Sequence, residues 1–257
     1  MVVTYAAAWI GPLSKPRLVE VTWIVTASPG ATAEPKARTG IDGRSAARYS
    51  GATDASTKKG YSGVAIYARR EPDTIRTALG WEAFDEEGRY LEARFGNLSV
   101  VSLYVPSGSS GELRQGFKFE AMAWLKPILD QWLASGRDYV LCGDWNIVRS
   151  ALDIRNWRSN QKNSGCLPAE RDWLNDLCAE QAGWVDAYRA LHAQGQDYTW
   201  WSNRGAARAN NVGWRIDYQI VTPSLRDKLR ACSIHPTPRF SDHAPFLVDY
   251  DVVDYAQ

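Results

Sequence analysis

The stretch that most constrains the fold runs Asp138-Tyr139-Val140-Leu141-Cys142-Gly143-Asp144-Trp145-Asn146. A short apolar run, with charge before it and glycine after it, has the pattern of a strand covered on both faces. Gly143 then lets the backbone turn, and two polar side chains follow two residues apart. Strand side chains alternate, so Asp144 and Asn146 are predicted to point one way and Trp145 the other. Residues just past the C-terminal end of such a strand lie at the rim of an open sheet, where ligands bind. An Asx turn that merely ends the strand is the plain alternative. A second cluster, Ser241-Asp242-His243-Ala244-Pro245, precedes another apolar segment, Phe246–Tyr250. Two acids, an amide and one of the chain's three histidines, all at strand ends, suggest a hydrolytic site.

The segments around these clusters indicate a layered α/β domain. Val2–Tyr5 and the β-branched Leu18–Val25 are predicted as strands, and residues 38–59 as loop. Gly63–Arg70, Tyr90–Phe95 and Leu98–Val105 are predicted strands, the last two joined by Gly96-Asn97. The periodicity predicts a helix over 112–134, with Phe117, Ala121, Trp124, Ile128 and Trp132 near one face and a kink at Pro127. Asp153–Gly165 reads as a polar loop. Leu167-Pro168-Ala169-Glu170 opens a second helix that should bury Trp173, Leu174 and Leu177. A strand over Trp214–Val221, a short helix near Ser224–Leu229 and the strand Phe246–Tyr250 follow. Hairpins mixed with strand–helix pairs imply a sandwich around a mixed sheet. No linker-like stretch divides the 257 residues, so 1–257 reads as a single domain, with an aperiodic, Ala/Gly/Pro-rich 1–57 atypical in sequence.

A net charge of +1 exerts no global pull on nucleic acid, so binding to it must come from local patches. Two acid-free loops supply them. One carries Arg155, Arg158 and Lys162 around Trp157, and the other Arg204, Arg208 and Arg215 near Trp200, Trp201 and Trp214. Cations take phosphates and flat rings take bases or sugars, although such loops can also be plain solvated surface. Ser241 cannot pair with its neighbours as a nucleophile, His192 and His235 read as surface residues, and Lys58-Lys59 as a solvated turn. Cys142, Cys166, Cys178 and Cys232 lack metal-ligand spacing and read as free thiols of a reducing cytosol. No secretory leader pattern or membrane-length apolar run is present, so the expectation is a cytoplasmic protein.

The motifs GDWN (143–146), SDHAP (241–245), NVGWRIDY (211–218), KKGYSGVAIY (58–67), LYVPSG (103–108) and DIRNWRSNQKNSG (153–165) together resemble the exodeoxyribonuclease III family of abasic-site endonucleases, its bacterial members above all. The likeness covers about residues 58–250. It implies a DNase I-like four-layer αββα sandwich with two mixed β-sheets. It also implies an Mg²⁺-dependent phosphodiesterase, with Mn²⁺ as a substitute, that cuts double-stranded DNA 5′ to abasic sites and trims 3′ ends in base excision repair, acting as a monomer. By the same resemblance Asp144 activates water, Asn146 holds it, His243 supported by Asp217 contacts a phosphate oxygen, and Tyr104 donates to the phosphate. Glu34 and Asp242 would ligate the metal, and Trp200, Trp214 and Ile216 would line a pocket for an extruded abasic sugar. Arg155, Arg158, Lys162, Arg204 and Arg208 would contact DNA.

The chain departs from the family pattern at its start. Ala6 and Ala8 stand where the family has asparagines, Trp9 replaces a glycine, Gly11 an arginine, and Arg149 the histidine that follows GDWN. Alanine neither coordinates nor donates, so support for the metal should be weaker. Two other readings remain: a non-catalytic regulator resembling the catabolite repression control proteins of RNA-linked regulation, and a lipid or inositol-phosphate hydrolase of the wider superfamily. The acids at 144 and 242, both replaced in the regulators, favour the enzyme, and NVGWRIDY is unexplained by the lipid hydrolase.

Overall fold

The computed structural model describes residues 6–10, 19–22, 50–57, 61–68, 70–180, 183–239 and 241–252, with backbone alone for residues 6–10, 19–22, 50, 51 and 55. The strands of the first quarter are β1 (Ala6–Ile10), β2 (Val19–Thr22), β3 (Ser50–Ala55) and β4 (Gly63–Ala68). Next come β5 (Thr74–Arg76), β6 (Tyr90–Phe95), β7 (Leu98–Leu103) and β8 (Asp138–Asp144). The remainder are β9 (Val185–Asp186), β10 (Trp200–Trp201), β11 (Gly213–Trp214), β12 (Asp217–Val221), β13 (Leu229–Ile234) and β14 (Phe246–Tyr250). The helices are α1 (Glu82–Asp85), α2 (Glu112–Ala134), α3 (Trp157–Asn160), α4 (Pro168–Leu177) and α5 (Ala187–Leu191).

One six-stranded sheet has the order β13-β14-β1-β2-β4-β3 and the other β5-β6-β7-β8-β12-β9. Both are mixed: β1 runs parallel to β14 and β7 parallel to β8, while the remaining ladders are antiparallel. α2 is the crossover that a parallel β7–β8 pair requires. The alternation along β8 shows how the layers are built. Val140 and Cys142 join the core between the sheets with Val64, Ile66, Val100, Phe246 and Val248. Tyr139 and Leu141 face the opposite way, into a second core with Ala121, Met122, Leu125 and Leu129 of α2 and Leu174 and Leu177 of α4. Each such fully buried aliphatic side chain contributes about 1.5–3 kcal/mol over leaving it in water. Two mixed sheets face to face, with helices on an outer face, form the expected sandwich.

The structure revises several local expectations. Ser50–Ala55, within the expected loop 38–59, is a strand paired with β4. Its sequence SGATDA has no apolar alternation, and the β4 ladder supplies the backbone partners that make it a strand. The expected loop 153–165 contains α3, and a 3-10 turn at Ala151–Asp153 leads into it. The buried face of α2 is Lys118, Ala121, Met122, Leu125, Leu129 and Trp132, rotated from the expected set, with Trp124 and Ile128 only half-buried. That helix continues through Pro127, which faces solvent. Trp173 is half-buried where α4 was expected to bury it. The strand expected over 214–221 splits into β11 and β12, because Trp214 pairs with Trp200 while Arg215 turns into the interior. The expected helix near Ser224–Leu229 is a 3-10 turn over Pro223–Lys228. The strand expected at Val2–Tyr5, the turn at Lys58-Lys59 and the ligand Glu34 lie outside the described residues.

Candidate active site

The end of the inter-sheet layer gathers the polar residues. Asp144 closes β8 on the same side as Val140 and Cys142, and Asp217 opens β12 directly opposite it in the antiparallel register. Gly143 makes this possible: it has φ +142°, and a Cβ there would run into the carbonyl of Leu103 on β7. From the facing sheet, the loop before β14 brings in His243, whose Nδ1 lies 2.9 Å from Asp217 Oδ2 and 3.1 Å from Oδ1. Asn146 sits at φ +53°, so that its backbone N–H donates to Asp144 Oδ1 at 2.8 Å and its Nδ2 to Asp144 Oδ2 at 3.0 Å. Nδ2 also reaches the Val105 carbonyl at 3.0 Å. The Asx contact weighed as the plain alternative is therefore present, but it is part of a cluster and not a strand end alone. Trp145 points away into the helix-side core, fully buried.

Asp144, Asp217 and His243 are nearly or completely buried. Burial raises the Asp144 carboxyl and the Asp217 charge adds to it, while His243, the Asn146 amide and Lys118 oppose; the result is a carboxyl pushed up to about 7. Burial would lower the His243 imidazole, but the charge and hydrogen bond of Asp217, backed by Asp144 and Asp242, carry it up to about 9. At neutral pH His243 is an imidazolium with Nδ1 on Asp217. Tyr104 follows β7 with its phenol pushed upward by burial and by the Asp144 charge, with Arg89 opposing. The Arg89 guanidinium lies 4.4 Å from the Tyr104 ring centroid and donates to the Tyr104 carbonyl at 3.1 Å.

A metal ion fits this chemistry. The polar atoms of Asp144, Asp217 and His243 lie within 4.8 Å of one another, and the carboxylate oxygens there suit a hard divalent cation, whereas the protonated His243 has no lone pair to offer one. Asp242 is half-buried beside them, with one carboxylate oxygen accepting from Trp200 Nε1 at 3.1 Å.

Next to the acids, Trp200, Trp214 and Ile216 form one apolar cluster with Val148, Ile154, Cys166 and Trp157. The Trp200 and Trp214 rings meet edge to face, with centroids 6.0 Å apart. Thr199, which sequence reasoning missed, ties this cluster to the acids: its Oγ1 accepts from the N–H groups of both Ile216 and Asp217 at 3.1 Å. No motif marks it, since its role depends on segments distant in sequence. Lys118 and Glu170 were also missed, since Lys118 lies off the face expected to be buried and turns inward only through the packing of α2.

The basic loops divide. Arg155, Arg158, Lys162 and Arg204 are exposed, and Arg155 and Arg158 line an open groove with Trp157. Arg208 is half-buried against Trp201 and donates to the carbonyls of Ser241 at 2.9 Å and Pro236 at 2.6 Å. Arg215 is fully buried with Asp153 and Asp186. Arg149, in the place of the family's histidine, joins them through Asp186 at 3.0 Å. Ser241 spends its hydroxyl within the loop, accepting from the His243 N–H. All four cysteines are free thiols. Among the described residues no helix is long and apolar enough to cross a membrane.

Comparison with known proteins agrees with this architecture. Residues 16–243 match the Endonuclease/Exonuclease/phosphatase family. An exodeoxyribonuclease of Bacillus subtilis (strain 168) is 34% identical over 193 residues, which is 74% of this chain and 75% of that protein. The DNA repair nuclease APEX1 of Danio rerio is 35% identical over 192 residues, 74% of this chain and 61% of that protein. Among solved structures, a 3′-5′ exonuclease from Neisseria Meningitidis superposes with a TM-score of 0.78 at 23% identity, over 96% of this chain and 100% of that one. An AP endonuclease from Archaeoglobus fulgidus gives 0.75 at 24% identity, over 97% of this chain and 100% of that one. Those two likenesses establish the shared fold, and the matched span, covering most of the sequence, places this chain in the endonuclease/exonuclease/phosphatase family.

Proposed function

We propose that this chain is a DNA phosphodiesterase dependent on Mg²⁺ or Mn²⁺, cleaving 5′ to abasic sites and trimming 3′ ends, and that it works as a cytoplasmic, single-domain monomer. The observation that carries the reading is the juxtaposition of the Asp144–Asn146–Asp217–His243 cluster with the Trp200–Trp214–Ile216 cluster. The first has the parts for hydrolysis and the second an apolar wall for a sugar that carries no base. Such a sugar is cheap to extrude because it has no pairing or stacking to lose. The relatives named for exodeoxyribonuclease and DNA repair activity point the same way.

In this reading Asp144, held near 7, takes a proton from water as the water oxygen bonds to phosphorus and the bond to the leaving nucleoside oxygen breaks, that oxygen taking a proton from solvent to leave as a hydroxyl. Asn146, fixed against Asp144, orients that water. His243, an imidazolium at neutral pH, presents Nε2 to a phosphate oxygen, and Asp217 fixes its orientation through Nδ1. Tyr104 donates to the same phosphate. A divalent cation, held by Asp242 and Glu34, would neutralise charge on the phosphate and leaving oxygen. Arg155, Arg158, Lys162 and Arg204 would meet the flanking phosphates.

The test is cleavage of an abasic-site duplex with and without Mg²⁺. Asp144→Asn is expected to lose about 10²-fold or more in turnover while still binding the duplex. Full activity in that variant would remove Asp144 from its role. Binding without any cleavage by the unaltered chain would favour the non-catalytic regulator.

A further inference from the structure

We propose that Lys118 and Glu170 form a buried positioning pair that holds Asn146 in its left-handed conformation and so aligns it with Asp144. The proposal deepens the hydrolytic reading above and rests on it for its catalytic consequence.

Asn146 is a non-glycine residue at φ +53°, a conformation that persists only where the surroundings impose it. Its N–H and Nδ2 are spent on Asp144 and Val105. Its carbonyl consequently turns away from the strand ladder and into the protein, where Lys118 Nζ donates to it at 2.8 Å. Gly165 packs on the same carbonyl so closely that a Cβ there would lie 2.9 Å from the oxygen, and the Gly165 carbonyl accepts from the Val148 N–H at 2.8 Å. The turn is thus clamped from two sides, and the Lys118 ammonium makes a charged contact with that carbonyl.

The charge of Lys118 is compensated where it sits. Its side chain and that of Glu170 are both fully buried, with Nζ and Oε1 2.7 Å apart. Glu170 is held in turn: its Oε2 accepts from the Leu167 N–H at 3.0 Å, capping α4, and its Oε1 accepts from Gln115 Nε2 at 3.0 Å. Three segments distant in sequence, α2, the turn after β8 and the start of α4, therefore meet at Lys118 Nζ. A lysine on the otherwise apolar buried face of α2 is costly, and apolar residues of similar size often serve stability as well or better. What an apolar residue cannot do is donate a directed, charged hydrogen bond to the back of Asn146.

The test compares the unaltered chain with Lys118→Met and with Lys118→Met/Glu170→Gln. The single variant leaves an unpaired buried carboxylate and is expected to lose stability. The double variant removes both charges, keeps an acceptor for the Leu167 N–H, and is expected to recover most of the melting temperature. Its turnover on an abasic duplex at saturating Mg²⁺ is expected to stay down about tenfold or more, with KM within about twofold, as misplacement of a reacting group produces. The second readout needs no activity. In the double variant the Asn146 amide resonance and its hydrogen-exchange protection are expected to change, while those of β14 remain. A double variant with recovered stability, undiminished turnover and an unchanged Asn146 amide would overturn the proposal, leaving the pair as a cap of α4. If the unaltered chain cleaves no abasic DNA, the functional reading fails, and the Asn146 amide still decides whether Lys118 holds the turn.

Discussion

His243 is the residue at which burial and charge conflict most openly. Burial alone would make it a weak base, yet Asp217 at 2.9 Å, with Asp144 and Asp242 behind, holds its proton up to about 9. An NMR titration of the metal-free protein is expected to find this imidazole near 9, and Asp217→Asn to bring it down. The same shift acts on folding. An unfolded histidine titrates at about 6.5. Because the folded value is the higher one, the pair's stabilisation is complete below about 6.5 and is lost as pH rises through about 9. The difference in melting temperature between the unaltered chain and His243→Gln is therefore expected to narrow from pH 6 to pH 9.5. A constant difference would place the stabilising contact elsewhere.

At the scale of elements, the arginines of the two basic loops have different duties despite the loops' similar composition. Arg155 and Arg158 project from the segment around α3, beside Trp157, and Arg204 from the loop between β10 and β11, all exposed. Reversing any of the three is expected to weaken binding of abasic DNA and reduce the slope of log K against log salt by about one unit. Arg208 instead spends its guanidinium on the carbonyls of Ser241 and Pro236, on the approach to Asp242 and His243. Arg208→Met is expected to lower turnover with a smaller change in that slope. A full unit of lost slope for Arg208, measured in a filter or anisotropy titration, would assign it to the phosphates after all.

At the scale of the molecule, the site depends on a buried ion network that lies outside it. Arg215 is bound by Asp153 at 2.7 Å and Asp186 at 2.8 Å; Arg189 reaches Asp153 as well, and Arg149 reaches Asp186. The network joins the 151–153 turn, β9, α5 and the segment between β11 and β12, which carries Ile216 and is flanked by Trp214 and Asp217. Burial opposes ionisation of Asp153, but the charges of Arg215 and Arg189 more than offset it and hold the carboxyl below its usual range; Arg215 and Arg149 do the same for Asp186. A depressed carboxyl stabilises the fold above its unfolded value of about 3.9, and that contribution disappears as pH falls through the folded value. Removing one partner of a buried pair costs about 3–5 kcal/mol, so Asp153→Ala is expected to be among the most damaging single changes at pH 7. Denaturant melts are expected to show the gap closing in strong acid.

The local signals for this protein were strong where a segment's own chemistry decides its form. The span of α2, the β6–β7 hairpin, the doubly covered β8 and the strand β14 were legible because period, turn residues and apolar runs act over a few residues. The clusters around Asp144 and His243 were legible too, since each is compact in sequence. Their union was expected from the pairing of the two motifs and from the resemblance, but its physical cause is tertiary: Asp144 meets Asp217 because β8 and β12 pair, and His243 meets both because the two sheets stack. For the same reason β3 was invisible until β4 lay beside it, and Arg208 and Arg215 read like their exposed neighbours. Lys118 shows the division most sharply. The sequence determined that α2 is amphipathic, but the rotation that turns an ammonium inward was decided by packing, where Glu170 and the Asn146 carbonyl can satisfy a charge that water would otherwise hold.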